Sequence, residues 1–213
     1  IVGYNAEPRE CLYLVRDLAW VAMVRGNHDD LALLPPSQIQ HVGEQGALWT
    51  HAQLSPAHKD FLAQLPLLSQ HEHLLLVHAS AHHPERWPYV DSSLMAERSM
   101  AAASDMDINI RYVFSGHVHQ QALYYLTPTA KLMRFVPQPG VPIPVPAHRQ
   151  WLAIVGSCGQ PRDGDVRAMY AMYDSQAATL TFHRVPYDHG AAMQAIRHSE
   201  LPNAFADRLE QGQ

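Results

Sequence analysis

Tyr112-Val113-Phe114-Ser115-Gly116-His117-Val118-His119 is the stretch on which the reading of the fold turns. A short run of β-branched and aromatic residues suits a strand; it stops at Ser115-Gly116 and gives way to two histidines. The design recurs twice upstream. Trp20-Val21-Ala22-Met23-Val24 leads into Arg25-Gly26-Asn27-His28-Asp29, and Leu74-Leu75-Leu76-Val77 leads into His78. Each run predicts a buried strand that ends in histidine. Ligand sites in α/β sheets gather at the carboxyl ends of strands, so the three segments are expected to bring Asn27, His28, His78, His117 and His119 to one rim. Gly26 and Gly116 let the backbone bend and approach closely there. If extended, His117 and His119 point to the same side. Imidazole is the commonest metal ligand, and an amide oxygen such as that of Asn27 can join it, so the pattern points to metal.

Working outward, Ile1-Val2-Gly3 reads as the end of a strand. Cys11, Leu12, Leu14, Val15 and Leu18 carry helical spacing over Glu7 to Arg16, with Pro8 suited to the first turn. A loop follows through Pro35-Pro36. Ser55-Pro56 opens a helix over Lys59, Phe61, Leu62 and Leu65, with Ser55 as its cap. Ser92 to Ala103 predicts another helix. Beyond His119 the character changes: Leu123 to Leu126, Leu132 to Val136, Trp151 to Val155, Ala168 to Tyr173 and Thr179 to Val185 read as strands between turns. Pro137 to Pro146 holds five prolines and is expected to be an extended loop. Gly190 to Arg208 returns to helical composition. Strand–helix alternation first and a run of strands second predicts an α/β sandwich rather than a simple parallel sheet.

The 213 residues suit one domain, with hydrophobic residues at 47%, enough for a core. Net charge is −5, from 15 Lys and Arg against 20 Asp and Glu, which gives no electrostatic case for nucleic acid or an anionic membrane surface. A small phosphate ester held locally by metal is compatible with that balance. Histidine, at 15, equals Lys and Arg together. Outside the three segments His41, His51, His58, His71, His73, His148, His183 and His198 are read as surface or structural. His82 and His83, with Arg86 and Trp87, are expected in an exposed loop that borders a substrate pocket at most. Cys11 and Cys158 make no disulfide framework, and Cys158 is read as a small packed residue. With no apolar run near 18 residues, a cytoplasmic protein without a membrane span is expected.

Taken together, Gly26-Asn27-His28-Asp29, His78 and Gly116-His117-Val118-His119 resemble the calcineurin-like metallophosphoesterases. Gly3-Tyr4, Glu10-Cys11-Leu12, Gly156-Ser157-Cys158-Gly159-Gln160-Pro161-Arg162-Asp163-Gly164-Asp165 and Arg184-Val185-Pro186-Tyr187-Asp188 resemble a bacterial subgroup of predicted phosphodiesterases. The resemblance implies a four-layer βαββα sandwich and a hydrolase acting on phosphate monoesters or diesters. It implies two divalent metal ions, with Asn27, His78 and His117 on one and His119 on the other. Mixed nitrogen and oxygen ligands suit Mn, Fe or Zn. His28 would hydrogen-bond the phosphate and protonate the leaving group, oriented through its ring nitrogen by Asp29. Two metals clamp a phosphate and lower the pKa of a bridging water, which attacks in line.

The chain also departs from that family's pattern. The D-x-H of the first strand and the G-D of the next, which supply the bridging carboxylate and most ligands of the first metal, do not occur here. The G-D would stand immediately before Ile1, so an N-terminal truncation by one strand–helix–strand unit is expected. Residues 1–213 are then expected to be inactive, to hold at most one metal, weakly, and to expose apolar edges along Val21–Val24 and Leu74–Val77. The alternatives are a non-catalytic scaffold of the same fold and a single-metal binding protein. The roles of Arg162 and Asp163 stay open, a purely structural turn included.

Overall fold

In the computed structural model, which describes residues 1–39 and 45–213, alternation along the strands builds the core. Strands β1 (Leu68–His71), β2 (Leu74–Val77), β3 (Tyr112–Ser115), β4 (Gln121–Leu126), β5 (Leu132–Phe135) and β7 (Trp151–Val155) form one sheet, ordered β1-β2-β3-β7-β4-β5. Strands β6 (Ile143–Pro144), β8 (Ala168–Asp174) and β9 (Thr179–Val185) form a second, ordered β6-β9-β8. β2, β3 and β7 run parallel, with Leu75 beside Val113 and Val113 beside Leu152. Successive side chains leave opposite faces. Leu75, Val113, Leu152 and Ile154 therefore pack under Ala96, Met100 and Ala103 of α5 (Ser93–Met106). Tyr112, Leu123, Trp151 and Ala153 face the other way, onto Leu180 and Phe182 of β9. The result is the expected α/β sandwich, with α5 on one face of the large sheet and the small sheet on the other.

Helices α1 (Pro8–Asp17), α2 (Asn27–Leu33), α3 (Gln45–Gln53) and α4 (Pro56–Gln64) gather around Leu12, Ala32, Leu54 and Leu62. Ser55 caps α4 as expected, its Oγ accepting from the His58 amide at 3.3 Å, with Pro56 in the first turn. α6 (His189–Arg197) and α7 (Asn203–Gln211) pair through Met193, Ile196, Phe205 and Leu209. Among the described residues no helix is long and apolar enough to cross a membrane.

Several expectations are corrected. Val21–Val24 is not a strand: no described strand lies alongside it, and the backbone hydrogen bond that ties this stretch down is Arg25 N–H to the Pro66 carbonyl, at 2.8 Å. Val21 is 79% exposed, but with no strand here the strand edge expected along Val21–Val24 does not form. A cleft of about 440 Å³ separates Met23 and Val24 from Leu76, Phe114 and Tyr173. Leu74–Val77, by contrast, is no edge, because β1 pairs antiparallel along its outer side. Ile1–Gly3 carries no strand either. Asn27–Leu33, to which the sequence reading gives no element, is helical. The Pro137–Pro146 stretch holds β6, whose Pro144 is tolerated because β6 lies at a sheet edge. β1 and α3 have no counterpart in the sequence reading, and His41 lies outside the described residues.

Candidate active site

β2 ends one residue before His78, and its parallel neighbour β3 runs directly into Gly116-His117-Val118-His119. β7, next in line, feeds Gly156–Gln160. Asn27 and His28 begin α2 across from them. Parallel neighbours end on one side, so these four segments enclose one cavity of about 330 Å³, whose walls include Asn27, His28, His78, His117, His119 and Gln160. The structure thus brings together every residue the sequence singled out as a metal ligand.

The contacts converge on one point. His78 Nε2 lies 2.9 Å from Asn27 Oδ1 and 3.2 Å from His117 Nδ1. His117 Nε2 and His28 Nδ1 are buried without a hydrogen-bond partner. Burial is the main cause that holds these rings neutral: His78 is pushed down to about 3, with the neighbouring His117 and the Ile1 ammonium adding to it. His28 falls to about 4 through burial and then the Ile1 ammonium, against a partial lift from Asp29. His117 falls to about 4 by burial, partly offset by the Trp87 backbone. His119 falls to about 4 by burial and then the Arg162 charge. Neutral imidazoles are the form that binds metal.

His117 and His119 are not extended. Their φ angles, 63° and 64°, are left-handed, which costs a non-glycine residue about 1 kcal/mol or more each. Both still line the cavity, because a tight turn replaces the strand. His119 Nδ1 donates to the Gln160 carbonyl at 2.7 Å, and the Arg162 amide returns a bond to the His119 carbonyl at 3.0 Å. That pairing fixes the tautomer and leaves Nε2 as the free lone pair.

Asp29 does not orient His28. Its Oδ1 accepts from the Ile1 nitrogen at 2.7 Å and the Val2 amide at 3.1 Å; Oδ2 accepts from the Gly26 amide at 2.8 Å. These backbone donors engage both oxygens, and no hydrogen bond joins Asp29 to His28, whose Nδ1 stays unpaired. Burial alone raises the Asp29 carboxyl, but the ammonium and the backbone donors outweigh it and hold it below its usual range.

Two glycines make the close packing possible. A Cβ at Gly3, where φ is 123°, would stand 2.6 Å from the His28 Cβ. A Cβ at Gly26 would stand 2.9 Å from the His78 ring. Gly26→Ala should therefore displace His78 and weaken Mn²⁺ binding about tenfold or more. Isothermal titration checks this, and an unchanged affinity would count against the ligand role of His78.

Tyr4 and Gln160 complete the wall, and Arg162 bonds to both. The Tyr4 ring lies 4.0 Å from that of His28 and 5.6 Å from that of His119. Arg162 Nη2 donates to Tyr4 Oη at 2.9 Å and to Gln160 Oε1 at 2.8 Å. Their signal in the sequence is the Gly3-Tyr4 pair and the Gly/Pro-bearing stretch after β7, neither of which gives a role by itself. Asp163 instead pairs with Arg184. Cys158 is exposed rather than packed. Trp87 and Tyr89 reach the cluster from the loop after His78, while His83 stays exposed. His58 is structural, buried with its ring against Tyr13.

No protein-family model matches the chain. The uncharacterized protein MJ0912 of Methanocaldococcus jannaschii is 30% identical over 216 residues, covering 98% of this chain and 82% of the relative. A solved metallophosphoesterase from Sphaerobacter thermophilus superposes with a TM-score of 0.86 at 32% identity, covering 100% of this chain and 86% of that one. The hypothetical protein PH1004 from Pyrococcus horikoshii OT3 shares the fold, with a TM-score of 0.76 at 17% identity over 100% of this chain and 82% of that chain. With a histidine cluster at the carboxyl ends of β2 and β3 and likeness of this extent on both sides, the chain belongs to the calcineurin-like metallophosphoesterase superfamily.

Proposed function

We propose that this site serves metal-dependent hydrolysis of phosphate esters. The observation that carries the reading is the convergence of Asn27 Oδ1, His78 Nε2 and His117 Nδ1, 2.9 and 3.2 Å from the shared His78 atom. Three such atoms cannot all be paired by hydrogen bonds, since His78 Nε2 carries at most one hydrogen. They suit one divalent ion: bonds of about 2.1 Å place adjacent ligand atoms about 3.0–3.4 Å apart. When bound, the ion supplies Lewis-acid polarisation of a phosphoryl oxygen and a water of lowered pKa.

His28 then stands at the edge of the phosphate position as a neutral hydrogen-bond donor, and the negative charge of a phosphate beside it favours its protonation. In this reading His28 is the acid that serves the leaving oxygen. Arg162, held by Gln160 and Tyr4, lends positive charge to the neighbourhood of His28 and His119.

For a second ion the fit is incomplete. His119 Nε2 is available, but no cluster of three His, Cys, Asp or Glu residues suited to a metal exists among the described residues. The reading accordingly assigns to residues 1–213 the three neutral ligands of one ion and one ligand of another. Without the carboxylates that a D-x-H and a G-D would add, residues 1–213 are expected to hydrolyse poorly.

Isothermal titration with Mn²⁺ should give about one weak site in residues 1–213, lost in His78→Ala. Hydrolysis of bis-p-nitrophenyl phosphate by residues 1–213 in Mn²⁺ should be far below a normal enzymatic rate. Normal turnover by residues 1–213 would defeat the two-metal reading in favour of a single-metal protein, and the lack of any Mn²⁺ site would favour a scaffold.

A further inference from the structure

A second hollow opens beside the histidine cluster, with a volume of about 570 Å³ and walls formed by Asn27, Asp30, Leu31, Leu33, Leu34 and Trp87. It shares Asn27 with the first cavity, so an occupant of one abuts the other. Its lining is leucine and indole except for Asn27 and Asp30. Asp30 is already paired with Arg25 at 2.7 Å, so the hollow presents no uncompensated charge.

Trp87 links the two spaces. Its ring meets that of His78 edge-on, 5.8 Å between centroids. Two residues on, Tyr89 stacks on His117 at 4.0 Å and 23° while remaining 46% exposed. The backbone is held in an unfavourable state to achieve this. Trp87 and His83 have φ angles of 53° and 52° and flank the 3-10 turn Pro84–Arg86. Glu72, Ala130 and Ala178 take similar angles in plain turns, so what singles out Trp87 is that its ring both lines the hollow and meets His78.

We propose that this hollow receives the ring-bearing half of the phosphate ester whose phosphate sits at His28, with Trp87 as its stacking face. The proposal rests on the hydrolytic reading above and names its substrate class: esters carrying a flat, largely uncharged ring rather than small alkyl esters. Indole against an aromatic ring gives an offset or edge-on contact, and the leucines remove the remaining ring surface from water.

The test titrates the chain, in Mn²⁺ buffer, with phenyl phosphate and methyl phosphate, by calorimetry and tryptophan fluorescence. Phenyl phosphate should bind about tenfold more tightly than methyl phosphate. Trp87→Ala should bring that ratio close to one, and Leu31→Ser, which also lines the hollow, should reduce it as well if Trp87→Ala fails to fold. Equal binding of the two esters by the unmodified chain, or a ratio untouched by both substitutions, overturns the ring subsite and leaves the hydrolytic reading standing. Binding of neither ester overturns both.

Discussion

Asp29→Ala should destabilise the chain by about 3–5 kcal/mol, because it strands three donors at once. Asp29 is 1% exposed, and its oxygens accept from the Ile1 nitrogen and from the Val2 and Gly26 amides. Alanine offers no acceptor. Each stranded buried donor costs about 1–3 kcal/mol, and the Ile1 contact, which is only partly buried, stands at the low end. The loss reaches the site, since Gly26 and Val2 flank the turns that carry Asn27 and Gly3. Asp29→Asn keeps one acceptor but turns an NH₂ toward a donor, so it should lie between the two. Urea unfolding at pH 7 measures the effect. A loss below about 1 kcal/mol for alanine would mean that the carboxylate does not organise this corner. Because the folded-state carboxyl is held below its usual value, its stabilising share is present above the unfolded pKa and vanishes as pH falls through the folded one.

The sequence carried the site further than it carried the fold. Asn27, His78 and His117 were legible because each follows a local signal, an apolar run or a glycine, and parallel strands then do the assembling. What stayed hidden depends on partners distant in the chain. Val21–Val24 has the composition of a strand, but a strand exists only where a neighbour completes its hydrogen bonds, and none of the described strands does. β1, which reads Leu68-Ser69-Gln70-His71, is weakly patterned and forms because a turn folds it back along β2. The left-handed turns at His117 and His119 carry no glycine to announce them. The contact between Trp87 and His78 joins two side chains nine residues apart through a strained loop, which periodicity cannot foresee. The Asp29 misreading has the same origin: an acid beside a histidine in sequence suggests a pair, while a helix start offers it backbone donors first.

Acid should weaken the metal-free chain well before its carboxylates protonate. His28, His117 and His119 are held at about 4 and His78 at about 3, all mainly by burial, against an ordinary value of about 6.5. The sign follows from where the protons go. Between pH 6.5 and 4 the unfolded chain takes up protons on these rings that the folded chain refuses, so stability rises with pH through this window and is lost as pH falls. At pH 5 each ring forfeits about 2 kcal/mol, and four together approach the whole stability of an ordinary domain. Urea unfolding in chelator at pH 7.5 and pH 5.0 should show a steep fall in midpoint. His117→Asn should flatten that dependence by roughly a quarter, whatever it does to stability at pH 7.5, because one of four proton-refusing rings is gone. Mn²⁺ competes for the same neutral rings, so its affinity should fall over the same interval and its stabilising effect should be largest near neutral pH. Equal midpoints at the two pH values would show that the folded chain admits protons to the cluster, and the rings would then be open to water rather than held dry as ligands.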